Sequence, residues 1–373
     1  MPAQSPYGRK TEPRPIRLMI VDDSIVARSV FQTILSEHAE FDIVATASTA
    51  DQALSKLSTC VVDIVLLDLA MPGMDGFTAL PEIIARGRGA RVLIVSTSAS
   101  EGAEACVRAL TLGAADTLEK PSAGTYRDRF AAALVEKLRR VGESRAPERE
   151  DVRGMAVQAA APAPDVTRPS VAGPIDCLAI GSSTGGLHAL AELFDALPSS
   201  CDMPILITQH LPASFMPYFA AQMTEIAGRP ATVARDGVSL LRGQILVAPG
   251  DAHIGLRSIG GLPRIILNRD PAPSGCLPSV DPMFQAVARQ FGERAFAVVL
   301  TGMGRDGSIG ARDIVATGGE IAAQDRATSV VWGMPGSVAN AGLASLIARP
   351  SVIAGRIADR MRGGSVRRVP AWR

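Results

Sequence analysis

No apolar run in this 373-residue chain approaches the length of a membrane span, for which about 20 consecutive apolar residues are needed. The opening Met1-Pro2-Ala3-Gln4-Ser5-Pro6 lacks the apolar core of a signal peptide, so neither membrane insertion nor secretion is expected. Cysteine is scarce: Cys60, Cys106, Cys177, Cys201 and Cys276 show no CxxC spacing, and reduced thiols in the cytoplasm are the expectation. An excess of either charge is also missing, since 38 Lys and Arg face 37 Asp and Glu for a formal net charge of +1. That balance supplies no global field for nucleic acid or a membrane surface. Histidine occurs only four times, which narrows any search for a catalytic base. No internal repeat is visible beyond a βα rhythm shared by both halves, and the length fits two domains of ordinary size.

What is present begins with Leu178-Ala179-Ile180-Gly181-Ser182-Ser183-Thr184-Gly185-Gly186. An apolar run reads as a buried strand, breaks into Gly and Ser, and leads into the helix-like Leu187–Leu193. Such a turn holds a serine hydroxyl at the C-terminal edge of a parallel sheet, where ligands gather in open α/β folds. Gly181, Ser183 and Gly185 also satisfy G-x-S-x-G, whose small residues allow a sharp turn beneath an exposed nucleophile. The spacing is not the G-x-G-x-x-G of a dinucleotide site.

Two further apolar strands end alike. Met203–Thr208 runs into Gln209-His210-Leu211-Pro212, and Phe296–Leu300 into Thr301-Gly302-Met303-Gly304-Arg305-Asp306-Gly307. In a parallel sheet Ser183, His210 and Asp306 would lie on one edge and could converge. A serine hydroxyl needs a histidine to take its proton, and the histidine needs a carboxylate to hold its tautomer. His38 reads as a surface residue, and His188 lies in the helix behind the serine turn. His253 is the competitor: in an α/β-hydrolase order it would be the base, with Asp236 or Asp251 as its carboxylate. Ser183, His210 and Asp306 rank higher because Asp306 sits in a glycine-flanked loop.

These segments, together with Phe215, Phe219, Ala248-Pro249-Gly250, His253, Pro278-Ser279-Val280-Asp281, Ala323-Gln324-Asp325 and Gly333-Met334-Pro335, closely resemble the catalytic domain of the bacterial chemotaxis protein-glutamate methylesterases, from about Ile175 to about Pro350. The resemblance implies Ser183 as nucleophile, His210 as base and Asp306 as its orienting carboxylate. It implies hydrolysis of glutamyl methyl esters on the cytoplasmic helices of methylated chemoreceptors, with deamidation of receptor glutamine as a second activity and no cofactor for the ester chemistry. Backbone N–H groups of Thr184 and Met303 are the candidates to hold the oxyanion. Three positions depart from the family pattern: Ser182 stands for the usual Ala, Met216 for Thr, and Gly336 for an Arg.

The N-terminal half repeats the strand-end logic with different chemistry. Ile16–Val21 ends in Asp22-Asp23, Ile64–Leu67 in Asp68, Val92–Val95 in Ser96, and Ala115–Glu119 in Lys120-Pro121. Neighbouring carboxylates ionise together only when a cation joins them, and oxygen-only ligands suit Mg²⁺. Carboxylates, a hydroxyl and an ammonium at one sheet edge suit phosphoryl transfer. This half resembles the receiver domain of two-component response regulators, from about Pro15 to about Arg140, also through Met71-Pro72 and Asp75-Gly76. The resemblance implies Asp68 as phosphoacceptor, Asp22, Asp23 and Asp68 as Mg²⁺ ligands, Ser96 and Lys120 as readers of the phosphoryl group, and a chemotaxis histidine kinase as phosphodonor. Thr117 stands where such domains usually carry Phe or Tyr, so an aromatic switch is absent there.

The expectation is an α/β protein of two doubly wound parallel-sheet domains, a flavodoxin-like receiver at 15–140 and a Rossmann-like esterase at 174–355. A charged, Pro- and Ala-containing linker at 141–173 joins them, and a basic tail occupies 356–373. The rival from another class is a receiver joined to a DNA-binding output. It would require a helix-turn-helix and a basic face, whereas the C-terminal half alternates strands with glycine turns.

Overall fold

Ile16–Val21 (β1) is apolar on both sides of the pleat, and all but one of its residues are buried. A strand of that kind must be covered on both faces, as in α/β sheets. It is succeeded by α1 (Ile25–Ser36), β2 (Phe41–Ala47), α2 (Ala50–Thr59), β3 (Ile64–Leu67), α3 (Gly76–Arg86), β4 (Arg91–Ser96), α4 (Ser100–Thr111), β5 (Asp116–Glu119) and α5 (Arg127–Glu143). The strands form a parallel sheet in the order β2-β1-β3-β4-β5. This is the flavodoxin-like winding, whose switch point lies between β1 and β3. The computed structural model of the protein describes residues 14–96, 100–120, 127–143, 171 and 173–362. Most of the expected linker and the basic tail from residue 363 onward fall outside the described residues.

The second half contains β6 (Cys177–Ser182), α6 (Gly186–Ala196), β7 (Ile205–Gln209), α7 (Met216–Ala227), β8 (Ala231–Val233), β9 (Ile245–Val247), β10 (His253–Ile259), β11 (Leu262–Asn268), α8 (Val280–Phe291), β12 (Ala295–Val299), α9 (Ser308–Ala316), β13 (Glu320–Gln324), α10 (Met334–Asn340), β14 (Leu346–Ala348) and α11 (Pro350–Met361). Seven strands make a parallel sheet, β14-β13-β12-β6-β7-β9-β8, while β10 and β11 form a separate antiparallel hairpin. Alternate residues of β6 supply opposite cores. Leu178 and Ile180 join α6, α7 and α11, and Cys177 and Ala179 join α8, α9 and α10. The doubly wound α/β architecture expected of both halves is thus the one observed, with the hairpin as an addition. A helix-turn-helix output does not hold, because the chemistry-bearing segments of this half are strand ends of a buried sheet.

Two expected boundaries shift. Helix α5 continues past residue 140 to Glu143. Helix α11 runs through residue 355 to Met361, so residues 356–361 are no tail. The reason is a buried ionic clamp. Arg360, 0% exposed, donates to Glu320 and to the Gly173 carbonyl, and Arg356 donates to Glu320 and the Val171 carbonyl. The two arginines pin the start of the second half to its last helix.

The halves meet at the C-terminal edge of the seven-stranded sheet. Gly185 N–H donates to the Ala115 carbonyl at 2.7 Å, and Thr184 Oγ1 donates to Asp116 Oδ2 at 2.5 Å. Val331 joins an apolar cluster that includes Leu118, Phe130 and Leu134, with Met303 and Val330 packed against it. The residues just past β6 and β12 therefore lie against β5 and α5.

Candidate active site

Strand β6 pairs with β7 on one side and β12 on the other, which makes it the switch point of its sheet and opens a crevice beyond its end. Ser183 is the first residue past β6. Its N–H donates to the Thr301 carbonyl at 3.0 Å, and Gln209 Nε2 donates to its carbonyl at 2.8 Å. Gly185 has φ of 76°, and a side chain there would run into Val330, so only glycine makes this turn without strain. Ser182 is fully buried and donates its hydroxyl to Gln209 Oε1 at 2.6 Å. Ser183 is half-buried, and among the described residues its Oγ has no hydrogen-bond partner.

His210 comes directly after β7, held by its N–H to the Ser182 carbonyl at 3.2 Å. Its Nε2 lies 2.8 Å from Asp306 Oδ2. Asp306 is 2% exposed and also accepts from the N–H groups of Val280, Asp281 and Gly307 and from Ser279 Oγ. Val280 and Asp281 open α8, so the carboxylate occupies the positive, donor-rich end of that helix. Burial works to raise the Asp306 carboxyl, but the His210 interaction and these donors outweigh it and hold it well below the usual carboxylate range. Burial likewise works to lower the His210 imidazole, and Asp306 together with Cys276 outweighs it, raising His210 to about 9. Asp281, buried beside the charged Asp306, is pushed up.

The competing base does not hold. His253 is 1% exposed, and its ring nitrogens lie on the Ser279 N–H and the Asp270 carbonyl. Its proposed carboxylates are also engaged elsewhere: Asp236 accepts the Leu267 N–H, and Asp251 pairs with Arg269. His188 is exposed on α6. Of the oxyanion candidates, Thr184 and Met303 flank the turn and the β12 loop. Among the described residues, neither N–H donates to a protein acceptor. Gln209, Ser279, Val280 and Thr301 also build the site, and residue-type reasoning assigned them no role. Gln209 adjoins His210 in the chain, which was the available signal. Val280 carried none, because a main-chain donor leaves no mark on residue identity, and the Ser279 hydroxyl meets Asp306 only through the fold.

In the other half, Asp22 lies just past β1, Asp68 just past β3 and Lys120 just past β5, and Ser96 ends β4. Lys120 Nζ lies 2.6 Å from Asp68 Oδ2 and 2.8 Å from Asp22 Oδ2. Asp22, Asp23 and Asp68 each offer a carboxylate oxygen within 4.8 Å of the others. Asp22 Oδ2 is buried, and its ion pair with Lys120 lacks hydrogen-bond geometry. The oxygen donors and this poorly directed buried oxygen fit a hard divalent cation. Burial raises Asp68 against the opposing pull of Lys120. In Lys120 the attraction of the Asp22 and Asp68 carboxylates overcomes the lowering effect of burial and raises the ammonium. Thr117 is buried on β5, with no aromatic ring at that position.

The family described as CheB methylesterase matches residues 178–357, and the response regulator receiver domain matches residues 18–127. A Caulobacter vibrioides protein, protein-glutamate methylesterase/protein-glutamine glutaminase 2, is 44% identical over 352 residues, 93% of this chain and 99% of that protein. A Rhodospirillum centenum protein-glutamate methylesterase/protein-glutamine glutaminase of group 2 operon is 39% identical over 359 residues, 89% of this chain and 91% of that protein. Protein-glutamate methylesterase/protein-glutamine glutaminase 1 of Paramagnetospirillum magneticum is 38% identical over 361 residues, 89% of this chain and 92% of that protein.

Proposed function

Because this chain belongs to the CheB methylesterase family, with a receiver domain ahead of the esterase domain, we propose that it hydrolyses glutamyl methyl esters on chemoreceptor cytoplasmic helices under control of receiver phosphorylation. The observation that carries the reading is the pairing of half-buried His210 with buried Asp306 at 2.8 Å, on the same sheet edge as the half-buried Ser183.

Ser183 Oγ attacks the ester carbonyl while His210 takes its proton. With Nε2 committed to Asp306, the proton arrives at Nδ1. The N–H groups of Thr184 and Met303 receive the tetrahedral oxyanion, the role such donors play in acyl transfer. His210 returns the proton to the methoxide oxygen, methanol leaves, and water hydrolyses the acyl-enzyme to free glutamate. With a glutamine side chain the same steps release ammonia, whose nitrogen His210 must protonate first.

In the receiver, the Asp68 carboxylate attacks the phosphorus of a phosphohistidine donor such as a chemotaxis histidine kinase, the P–N bond breaks and the donor imidazole leaves; Asp22, Asp23 and Asp68 would hold Mg²⁺, which would neutralise charge on the transferring group. Ser96 and Lys120 then read the new phosphoryl oxygens. Thr117 offers no ring to swing, and β5 provides another route. Lys120 lies just past the C-terminal end of β5, and Asp116 at its start holds Thr184 beside the nucleophile. Drawing Lys120 toward a phosphoryl group shifts β5 and loosens Asp116 from Thr184, uncovering the site to a receptor helix. We place this chemistry in the cytoplasm; no described helix is long and apolar enough to cross a membrane. Incubation with radiolabelled methylated receptor should release methanol, faster with acetyl phosphate and Mg²⁺. No release under either condition would sink the reading.

A further inference from the structure

His253 fails as a base, yet both of its ring nitrogens are used. Nε2 lies 2.9 Å from the Asp270 carbonyl oxygen. A carbonyl only accepts, so Nε2 carries the proton. Nδ1 then has a free lone pair and accepts the Ser279 N–H at 2.8 Å. Ser279 Oγ in turn donates to Asp306 Oδ1 at 2.7 Å, and the next N–H, that of Val280, donates to Asp306 Oδ2 at 2.7 Å. His253, Ser279 and Asp306 are all buried, so water does not replace the bonds that link them.

The local geometry explains why the relay is needed. Ser279 is the N-cap residue of α8, but its hydroxyl does not close on its own helix. It is spent on Asp306, and Asp306 takes the free N–H groups of the first turn in its place. The helix start and the carboxylate therefore hold each other, and the segment from Arg269 to Pro278 that leads into the helix needs a separate anchor. His253, the first residue of β10, supplies one at each end of that segment.

We propose that His253 is a positioning residue for the esterase reaction: in its Nε2–H tautomer it holds the Ser279 N–H, fixes the start of α8 against Asp306, and so aims His210. The inference rests on the Ser183, His210 and Asp306 reading. A buried N–H robbed of its acceptor turns toward another partner, and the carboxylate tied to the same residue moves with it.

The two nitrogens can be separated by substitution. Asn places an acceptor oxygen near the position of Nδ1, whereas Gln places its amide nitrogen near that of Nε2. In the full-length chain, labelling of Ser183 by a fluorophosphonate is measured across pH for the parent, His253→Asn, His253→Gln, Ser279→Ala and Ser183→Ala, with circular dichroism and melting curves for each. His253→Asn should label within about threefold of the parent, while His253→Gln and Ser279→Ala label roughly 10- to 100-fold more slowly at saturating probe. The half-saturating concentration should stay near the parent's, and the pKa of the base should fall in the two slow variants. A merely structural histidine would move the melting curve and leave that pKa in place. If folded His253→Gln matched His253→Asn, or folded Ser279→Ala kept the parent's rate and pKa, the inference would be overturned. Should one His253 variant not fold, the other decides: His253→Gln labelling at the parent's rate, or His253→Asn labelling more than about tenfold slower, would overturn the inference. Labelling that persisted in Ser183→Ala would instead overturn the underlying triad.

Discussion

Ser182 and Ser183 are adjacent residues of one type that the fold puts to opposite uses. Ser182 ends β6 pointing into the protein, its hydroxyl closed on Gln209, while Ser183 stands half-buried with a free Oγ. Ser183→Ala should therefore abolish methanol release and His210→Ala nearly so, each by on the order of 10³-fold or more. Ser182→Ala should retain most turnover. A reversed result, with Ser182→Ala inactive and folded, would move the nucleophile by one position. The pH dependence comes from His210. Its raised value of about 9 means the base form accumulates as pH rises, so turnover should climb toward pH 9 and then level. Asp306→Asn removes the charge that does the raising. The rising limb should then move down toward the ordinary imidazole value of about 6.5, with a lower plateau. A limb that stayed near pH 9 in Asp306→Asn would show that another group holds the proton. In the receiver, Asp68→Asn keeps the shape but loses the attacking oxygen, so labelling by acetyl phosphate with Mg²⁺ should vanish.

Helices and strands carry the next set of consequences. Helix α11 is held by Arg360 and Arg356 on Glu320, with Arg360 and Glu320 both almost wholly inaccessible. Removing Arg360 leaves the buried Glu320 with Arg356 as its remaining partner, so the loss should fall below the roughly 3–5 kcal/mol of a fully unpaired buried charge. Arg360→Ala should therefore lower the melting temperature of the esterase half by about 2–4 °C per kcal/mol, with Ser183 chemistry unchanged in the folded fraction. An unshifted melting curve would mean that water or a rearranged Arg356 takes over the charge. Strand β5 is the element that touches both active edges. Asp116→Ala deletes the acceptor of the Thr184 hydroxyl and the partner of Lys137, which lies 2.7 Å away. Unphosphorylated activity should rise in this variant, and the gain from acetyl phosphate should shrink. Unchanged regulation would remove β5 as the route.

For the whole molecule, the arrangement is a closed one, with α4, β5 and α5 of the receiver against the esterase edge. Inhibition by occlusion has a limited range: if roughly nine in ten molecules are closed, full release raises activity only about tenfold. A fragment beginning at Val171 keeps the Val171 and Gly173 carbonyls that Arg356 and Arg360 grip. It should work faster than the unphosphorylated full-length chain on receptor substrate. A slower fragment would mean that the receiver recruits substrate instead of blocking it.

Much of this was legible in one dimension because the strands of a parallel sheet deliver the residues at their C-terminal ends to one edge. Apolar runs ending in Ser183, His210 and Asp306, and in Asp22, Asp68 and Lys120, were enough to group those residues by sequence alone. The glycine turn at Gly185 was visible for a similar reason, since a local backbone demand selects a local residue type. The ranking of His210 over His253 rested on the glycine-flanked loop of Asp306 and on family resemblance; the physical reason, the burial of His253 and its two partners, came only with the fold. The end of α11 was not legible: Arg356 and Arg360 read as a basic tail until Glu320, far away in the chain, supplied their counter-charge. The hold of α8 on Asp306 and of Asp116 on Thr184 depends on backbone N–H groups and on packing between halves. Those contacts form only when segments distant in sequence come together, so residue identity and spacing leave them unspecified.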